Sequence, residues 1–405
     1  MLKLGVKYIK RNIIKSFDKR KIYYHNMQPI VQTLNASLNS DTMQYQIAVY
    51  FSAATNNIYQ VEQWLKIFFA LDENIVFIVR KKSTFNWLKN NTNFTTIYCH
   101  GINDLTKTYE ENDFKCILYV NHGLQNFQSL MCRSALHIHI NHGESEKTST
   151  ISNQINAYNY VFIVGDAAYD KYNYNLLEKD MKKFIKVGRP QLEHIEKISL
   201  KKRDEKVILY APTWEGTHES MNFTSLNDYG LALVKEILIQ PDLYLIYKPH
   251  PNIGVRDINT KNINTKIMKL LSRSPYGETM NLSDINTLYE HVDIAIFDNS
   301  AVAIDYLQVD KPMLMTDMFH RIKKRNNEIH ITRAAKVLSV LDIDNIGSIV
   351  REEIKEDSLK KERNEMKHYF LGDFDYSKEE STKSFMIKVN AIMKKRDSLL
   401  MEMSR

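Results

Sequence analysis

The 405-residue sequence predicts an α/β protein built in two layered halves. Three observations carry this expectation. Short apolar runs rich in Val, Ile and Tyr alternate with helical patterns, as buried parallel strands alternate with their crossover helices. The runs fall into two series, separated by the polar segment 193–205. The composition, 43% hydrophobic and 25% charged with 12 Gly and 8 Pro, is that of a globular protein, and the length suffices for two cores.

Taken in order, the first element expected is a basic amphipathic helix over 1–25. Leu2, Val6, Ile9, Ile13 and Phe17 recur at helical spacing, and Lys3, Lys7, Lys10, Arg11 and Lys15 fill the rest of the wheel. Such a helix either lies on an anionic membrane surface or packs on the body with its basic face in water. The first strand series is expected at 46–51, 74–79, 116–120, 136–140 and 160–164, with a helical pattern over 59–71. The second is expected at 207–210, 243–247, 293–297 and 312–315, with a helical pattern over 231–239. From about 358 onward the chain is strongly charged and helical, and in a two-lobed design it could return across the first domain. The expected division is a helix (1–25), two Rossmann-like domains facing one cleft (26–190 and 191–357) and C-terminal helices (358–405).

Bulk properties exclude several classes. A formal charge of +7 spread through a Lys-, Asn- and Ile-rich vocabulary, without a basic aromatic stretch or a helix-turn-helix pattern, gives no reason to expect nucleic acid as a partner. Cys99, Cys116 and Cys132 form no CxxC pair, which suits a reducing compartment. No segment approaches the roughly 20 apolar residues of a membrane span, and Lys7, Lys10, Arg11 and Lys15 interrupt any signal-peptide core.

Four polar clusters stand at or just after predicted strand ends, where open α/β sheets place their ligands. The first is His142-Gly143-Glu144-Ser145-Glu146-Lys147. Its glycine allows a tight turn, its imidazole titrates near neutrality and suits proton abstraction from a hydroxyl, and Lys147 adds positive charge. A His-Gly pair alone is a weak signal, and His122-Gly123 is a second copy. The second cluster is Ala211-Pro212-Thr213-Trp214-Glu215-Gly216, which reads either as a strand-tip hydroxyl for a ligand or as a structural turn with Trp214 as a core plug. In the third, Tyr247-Lys248-Pro249-His250-Pro251, two prolines hold a loop in which Lys248 and His250 suit an anionic oxygen. The fourth, Asp298-Asn299-Ser300-Ala301-Val302-Ala303-Ile304-Asp305, follows a strand and starts a helix. Asn299 or Ser300 would cap it, small residues keep its first turn open to a phosphate, and Asp305 could accept from ribose hydroxyls. The plain alternative is a capped helix with Asp305 facing solvent.

Together these clusters resemble the CDP-glycerol glycerophosphotransferase family, the primases and polymerases of teichoic-acid-like and capsular polymers. The matching stretches are HGESEK (142–147), GRP (188–190), LYAPTWEG (209–216), YKPHP (247–251) and DNSAVAIDYL (298–307), followed by Lys311-Pro312, in the family's order. The resemblance spans residues 135 to 316. It implies a two-lobed glycosyltransferase-B-type fold with the donor nucleotide on the C-terminal lobe and the acceptor over the N-terminal one. It also implies a basic peripheral-membrane element, and hence a cytoplasmic protein on the inner face of the membrane. Two departures stand out. Many relatives carry Gly-x-Pro-Arg where this chain has Gly188-Arg189-Pro190-Gln191, and some carry two serines where it has Ser300-Ala301.

On that resemblance the expected reaction is attack by an acceptor hydroxyl on the distal phosphorus of CDP-glycerol or CDP-ribitol, with CMP leaving. The acceptor is a glycan or lipid-linked hydroxyl. His142 is expected as general base, with His250 as the second catalytic histidine. The expected donor-binding residues are Lys147, Arg189, Thr213, Trp214, Lys248, Asp298, Asn299, Ser300, Ala301 and Asp305. Neither a metal nor a cofactor is expected. No DxD pair stands out at a strand end, and Asp342-Ile343-Asp344 is expected in a late loop. Three rivals remain: a nucleotide-sugar glycosyltransferase of the same fold, a zinc hydrolase using His137, His139 and His142, and a non-catalytic assembly factor at the membrane.

Overall fold

The computed structural model describes residues 45–71, 75–146, 151–282, 284–318 and 330–403. The helix expected over 1–25, and Lys147, lie outside them. Two sheets organise the chain. The first contains β1 (Ile47–Phe51), β2 (Ile75–Val79), β3 (Thr95–Tyr98), β4 (Cys116–Tyr119), β5 (Leu136–His139), β6 (Tyr160–Ile163) and β7 (Phe184–Lys186). The second contains β8 (Lys206–Ala211), β9 (Leu243–Tyr247), β10 (Gly277–Thr279), β11 (Ile294–Phe297), β12 (Met313–Thr316) and β13 (Lys336–Leu338). Their orders are β3-β2-β1-β4-β5-β6-β7 and β10-β9-β8-β11-β12-β13. All pairings of the second sheet are parallel, as are β1 with β2 and β4, β2 with β3, and β6 with β7.

Every strand expected from the sequence is present to within one residue at either end. The four that were not expected are β3, β7, β10 and β13, which are the outer strands of the two sheets. The helical pattern over 59–71 is realised as two pieces, Tyr59–Glu62 and Leu65–Ala70. Between them the winding tightens, the Trp64 N–H reaching back three residues to the Val61 carbonyl at 2.9 Å.

The chain divides into two compact units. One comprises the described residues up to Gln60, then Leu71–Ile138 and the segment from Ile392; the other comprises Val61–Ala70 and His139–Ala391. In the first unit β1 and β2 are buried along their whole length, IAVYF and IVFIV, as interior parallel strands require. Its C-terminal segment is tied in by Arg396. The guanidinium pairs with the Asp113 carboxylate and donates to the Ser134 carbonyl at 2.8 Å, while Lys115 meets Asp397 at 2.7 Å.

The second sheet separates two apolar cores, and alternate residues of each inner strand feed opposite ones. Leu209, Ala211, Tyr244, Ile246, Ala295, Phe297, Met313 and Met315 enter one core. Ile208, Tyr210, Leu243, Leu245, Tyr247, Ile294, Ile296 and Leu314 enter the other. Covered on both faces, this sheet offers a ligand its edge at the strand ends.

Candidate active site

Three of the four polar clusters leave neighbouring strands at the same edge. In the parallel register Tyr210 of β8 lies beside Tyr247 of β9, and Ala211 lies beside Phe297 of β11. The residues that follow, from Pro212, Lys248 and Asp298, therefore emerge together at the C-terminal ends of adjacent strands.

Two fully buried carboxylates fix these loops. Asp298 accepts the Thr213 N–H at 2.8 Å, the Ser225 N–H at 3.3 Å and the Thr316 hydroxyl at 2.6 Å. Burial pushes its carboxyl above the usual range, with those hydrogen bonds acting against the shift. Glu215 accepts the backbone N–H groups of Gly254 at 3.0 Å, Arg256 at 2.8 Å and Asp257 at 3.0 Å. It thereby sets the loop that follows Pro251. Trp214 stacks on His250 with ring centroids 6.0 Å apart and planes 14° from parallel. The His250 Nδ1 accepts the Asn252 N–H at 3.1 Å, so the neutral ring carries its proton on Nε2.

Lys248 is buried beside these groups. Desolvation lowers its ammonium pKa from 10.5 to about 8, and the charge of Asp284 partly offsets that. Asn299 is 1% exposed, and its Nδ2 has no hydrogen-bond partner among the described residues. Ser300 holds the N-cap position of the short helix Ala301–Tyr306 with an extended backbone, but its hydroxyl donates to the Asp298 carbonyl at 3.3 Å and does not cap the helix. A little further on, Lys311 donates to the carbonyls of Tyr289, Glu290 and Val292, closing the preceding 3-10 turn.

The His142 loop is built differently. Asn141 takes a left-handed backbone (φ 54°), which Asn tolerates better than most residues. Its side-chain oxygen accepts the His142 N–H at 2.9 Å and its amide donates to the Gly143 carbonyl at 2.7 Å. Its own carbonyl accepts Trp64 Nε1 at 2.7 Å. Glu144 pairs with Lys171 at 2.7 Å, and Glu146 accepts the Ile331 N–H at 3.2 Å and meets His330 Nδ1 at 3.2 Å. The loop reaches the helix at Ala301 through two small residues: a Cβ on Gly143 would lie 3.3 Å from that of Ala301. Arg189 makes a second link, since both Asp305 carboxylate oxygens accept from its guanidinium, at 3.0 and 3.1 Å.

The structure thus connects His142, Arg189, Thr213, Trp214, Lys248, His250, Asp298, Asn299, Ser300, Ala301 and Asp305 through one continuous set of contacts and adjacent strand ends. Asp305 is 4% exposed, so the solvent-facing alternative for it does not hold. Sequence reasoning placed Glu215 in a cluster without giving it a role, and passed over Gln63, Lys171, Ser225 and Thr316. Their partners lie far along the chain, and no local pattern marks them. The zinc alternative does not fit the residues present. The two ring nitrogens of His137 lie 2.7 Å from the Tyr119 hydroxyl and 2.8 Å from the Cys132 carbonyl. Asp342 is likewise committed, accepting the Ser339 N–H and hydroxyl as a capping residue, both at 2.7 Å.

Two parallel sheets with polar clusters at the strand ends and a helical C-terminus make an α/β fold of the glycosyltransferase-B kind. The family model for CDP-glycerol:poly(glycerophosphate) glycerophosphotransferase matches residues 16–318, and the chain belongs to that family. Among solved structures it resembles the wall teichoic acid polymerase TagF, with a TM-score of 0.58 at 12% identity over 94% of this chain and 98% of that one. A glycosyltransferase from Rickettsia africae gives 0.54 at 14% identity, covering 88% and 99%. The S. aureus MnaA–UDP structure gives 0.53 at 14% identity, covering 82% and 94%. These likenesses concern the fold. No curated protein matches the sequence.

Proposed function

We propose that this transferase moves glycerol phosphate, or another alditol phosphate, from a CDP-linked donor to a hydroxyl of a lipid-linked or glycan acceptor. The product would extend or prime a teichoic-acid-like or capsular polymer. The observation that carries this reading is the meeting of Lys248, His250 and the 299–301 turn at one sheet edge, with the His142 loop against Ala301. The acceptor oxygen attacks the distal phosphorus as His142 takes its proton. The bond from that phosphorus to the bridging oxygen breaks, and CMP leaves with the electron pair. Positioning and charge stabilisation supply most of the acceleration in such transfers. Lys248 and the Nε2–H of His250 meet the diphosphate, with Asn299 and the backbone at Ser300 and Ala301. Trp214 flanks His250, and Thr213 lies beside them on its Asp298 support. Lys147 is assigned to the donor, as a further positive charge.

In this reading 26–190 receives the acceptor and 191–357 holds the donor. The basic stretch 1–25 brings the protein to an anionic membrane surface from the cytoplasmic side. Among the described residues no helix is long and apolar enough to cross a membrane.

The test is CMP release from CDP-glycerol and from CDP-ribitol with a membrane or glycan acceptor, with and without EDTA. Acceptor-dependent release that EDTA does not affect is expected, and His142→Ala should lower kcat by about 10²–10⁴. Release of UDP or GDP from nucleotide sugars, with no CMP from either CDP donor, would replace this reading with the glycosyltransferase one.

A further inference from the structure

Arg189 is 4% exposed, and its guanidinium makes four hydrogen bonds. Nε and Nη2 hold the two oxygens of Asp305 at 3.0 and 3.1 Å, Nη2 also reaches Gln63 Oε1 at 3.2 Å, and Nη1 donates to the His142 carbonyl at 2.8 Å. Side-chain exposure is 5% for Arg189 and 6% for Asp305, so the fork and the carboxylate satisfy each other away from water. At that exposure neither side chain presents much of itself to a ribose hydroxyl or a phosphate of a bound donor. The bond to His142 points elsewhere, to the backbone of the residue proposed as base. That residue is then held from both sides, its N–H by Asn141 Oδ1 and its C=O by Arg189.

We propose that Arg189 is a positioning residue for His142, with Asp305 as its counter-ion, and that neither touches the donor. This rests on the transferase reading above and reassigns both residues within it. Arginine suits the task because a planar fork can bind a carboxylate through one edge while aiming a further N–H at a carbonyl, which a lysine cannot do. The cluster couples the C-terminal end of the 301–306 helix to the His142 loop.

The experiment compares wild type with Arg189→Lys, Asp305→Asn, the double variant and Gln63→Leu. The readouts are acceptor-dependent CMP release from CDP-glycerol, thermal unfolding, and the NMR titration of the His142 ring in ¹⁵N-histidine-labelled protein, assigned with His142→Ala. Arg189→Lys and Asp305→Asn should each lower kcat about 100-fold with the donor KM within about threefold, as misplacing a catalytic group does. The double variant should be no worse than the worse single one. Gln63→Leu, which removes no charge, should lower kcat about threefold and leave KM alone, and it decides the matter should the charge variants fail to fold. The His142 titration needs no substrate and should shift in both single variants. A raised donor KM at unchanged kcat in Asp305→Asn, or a His142 titration identical in all variants, would overturn the inference. A wild type that releases no CMP from either CDP donor counts against the function proposed, and the titration then decides the positioning role alone.

Discussion

At the scale of single residues, burial decides what each charged group can do. Lys248 has the clearest consequence. Its folded pKa of about 8 lies below the ordinary 10.5 because the buried ammonium is poorly solvated. If the protonated form meets the diphosphate, kcat/KM should decline above pH 8 as the free enzyme loses that proton, the acid side of the profile belonging to the base. Arginine does not titrate in this range, so Lys248→Arg should remove the alkaline decline even where it lowers the plateau; a pH–rate profile of both proteins checks this. The sign for stability is opposite to that of a paired lysine. Between about 8 and 10.5 the unfolded chain binds the extra proton, so the burden of burying Lys248 eases as pH rises through that window.

Within the second unit, buried carboxylates join separate elements. Asp298 connects the turn after β8, the Ser225 turn and the end of β12. Asp298→Ala would strand two backbone N–H groups and a hydroxyl, each costing about 1–3 kcal/mol when buried without a partner. A loss of roughly 3 kcal/mol or more in denaturant unfolding is expected, and a loss under 1 kcal/mol would show that water replaces the carboxylate. The same scale explains how much could be read in advance. The inner strands were legible because they are apolar on both faces: β2 is IVFIV and β9 is LYLIY, buried throughout. The outer strands were not. In β3, TTIY, no residue is fully buried, and β7 and β10 are short segments, FIK and GET, with mixed burial. Half-exposed edges lose the apolar run that marks a strand. The site was legible to the same depth. Its loops carry Pro, Gly, His and Trp in local patterns, whereas Glu215 and Gln63 gain their meaning only from partners far along the chain. Arg189 was noticed, but nothing local pairs it with Asp305, 116 positions later.

For the whole molecule, the division into units gives a test that needs no substrate. The first unit includes the segment from Ile392, anchored by Arg396 and Asp397 to Asp113, Ser134 and Lys115. Ending the chain after Ala391 leaves the second unit's residues in place and removes that anchor. Hydrogen exchange should accelerate at Cys116–Tyr119 while Lys206–Ala211 stays protected. Equal acceleration in both segments would mean that the two units do not melt separately. The C-terminal helices were expected from their charge and period, but sequence alone does not say which strands they serve.

That anchor also bears on how the protein is made. A ribosome releases β1 to β4 early, yet the residues that complete their unit come after 391. The strands are parallel, so none can settle against its neighbour through a simple hairpin. The second unit, begun later, has its last residue in hand first. Vectorial synthesis therefore leaves β1 to β4 as a nascent, open sheet until the residues beyond 391 have emerged, which is the period when a chaperone that shields apolar edges has most to protect.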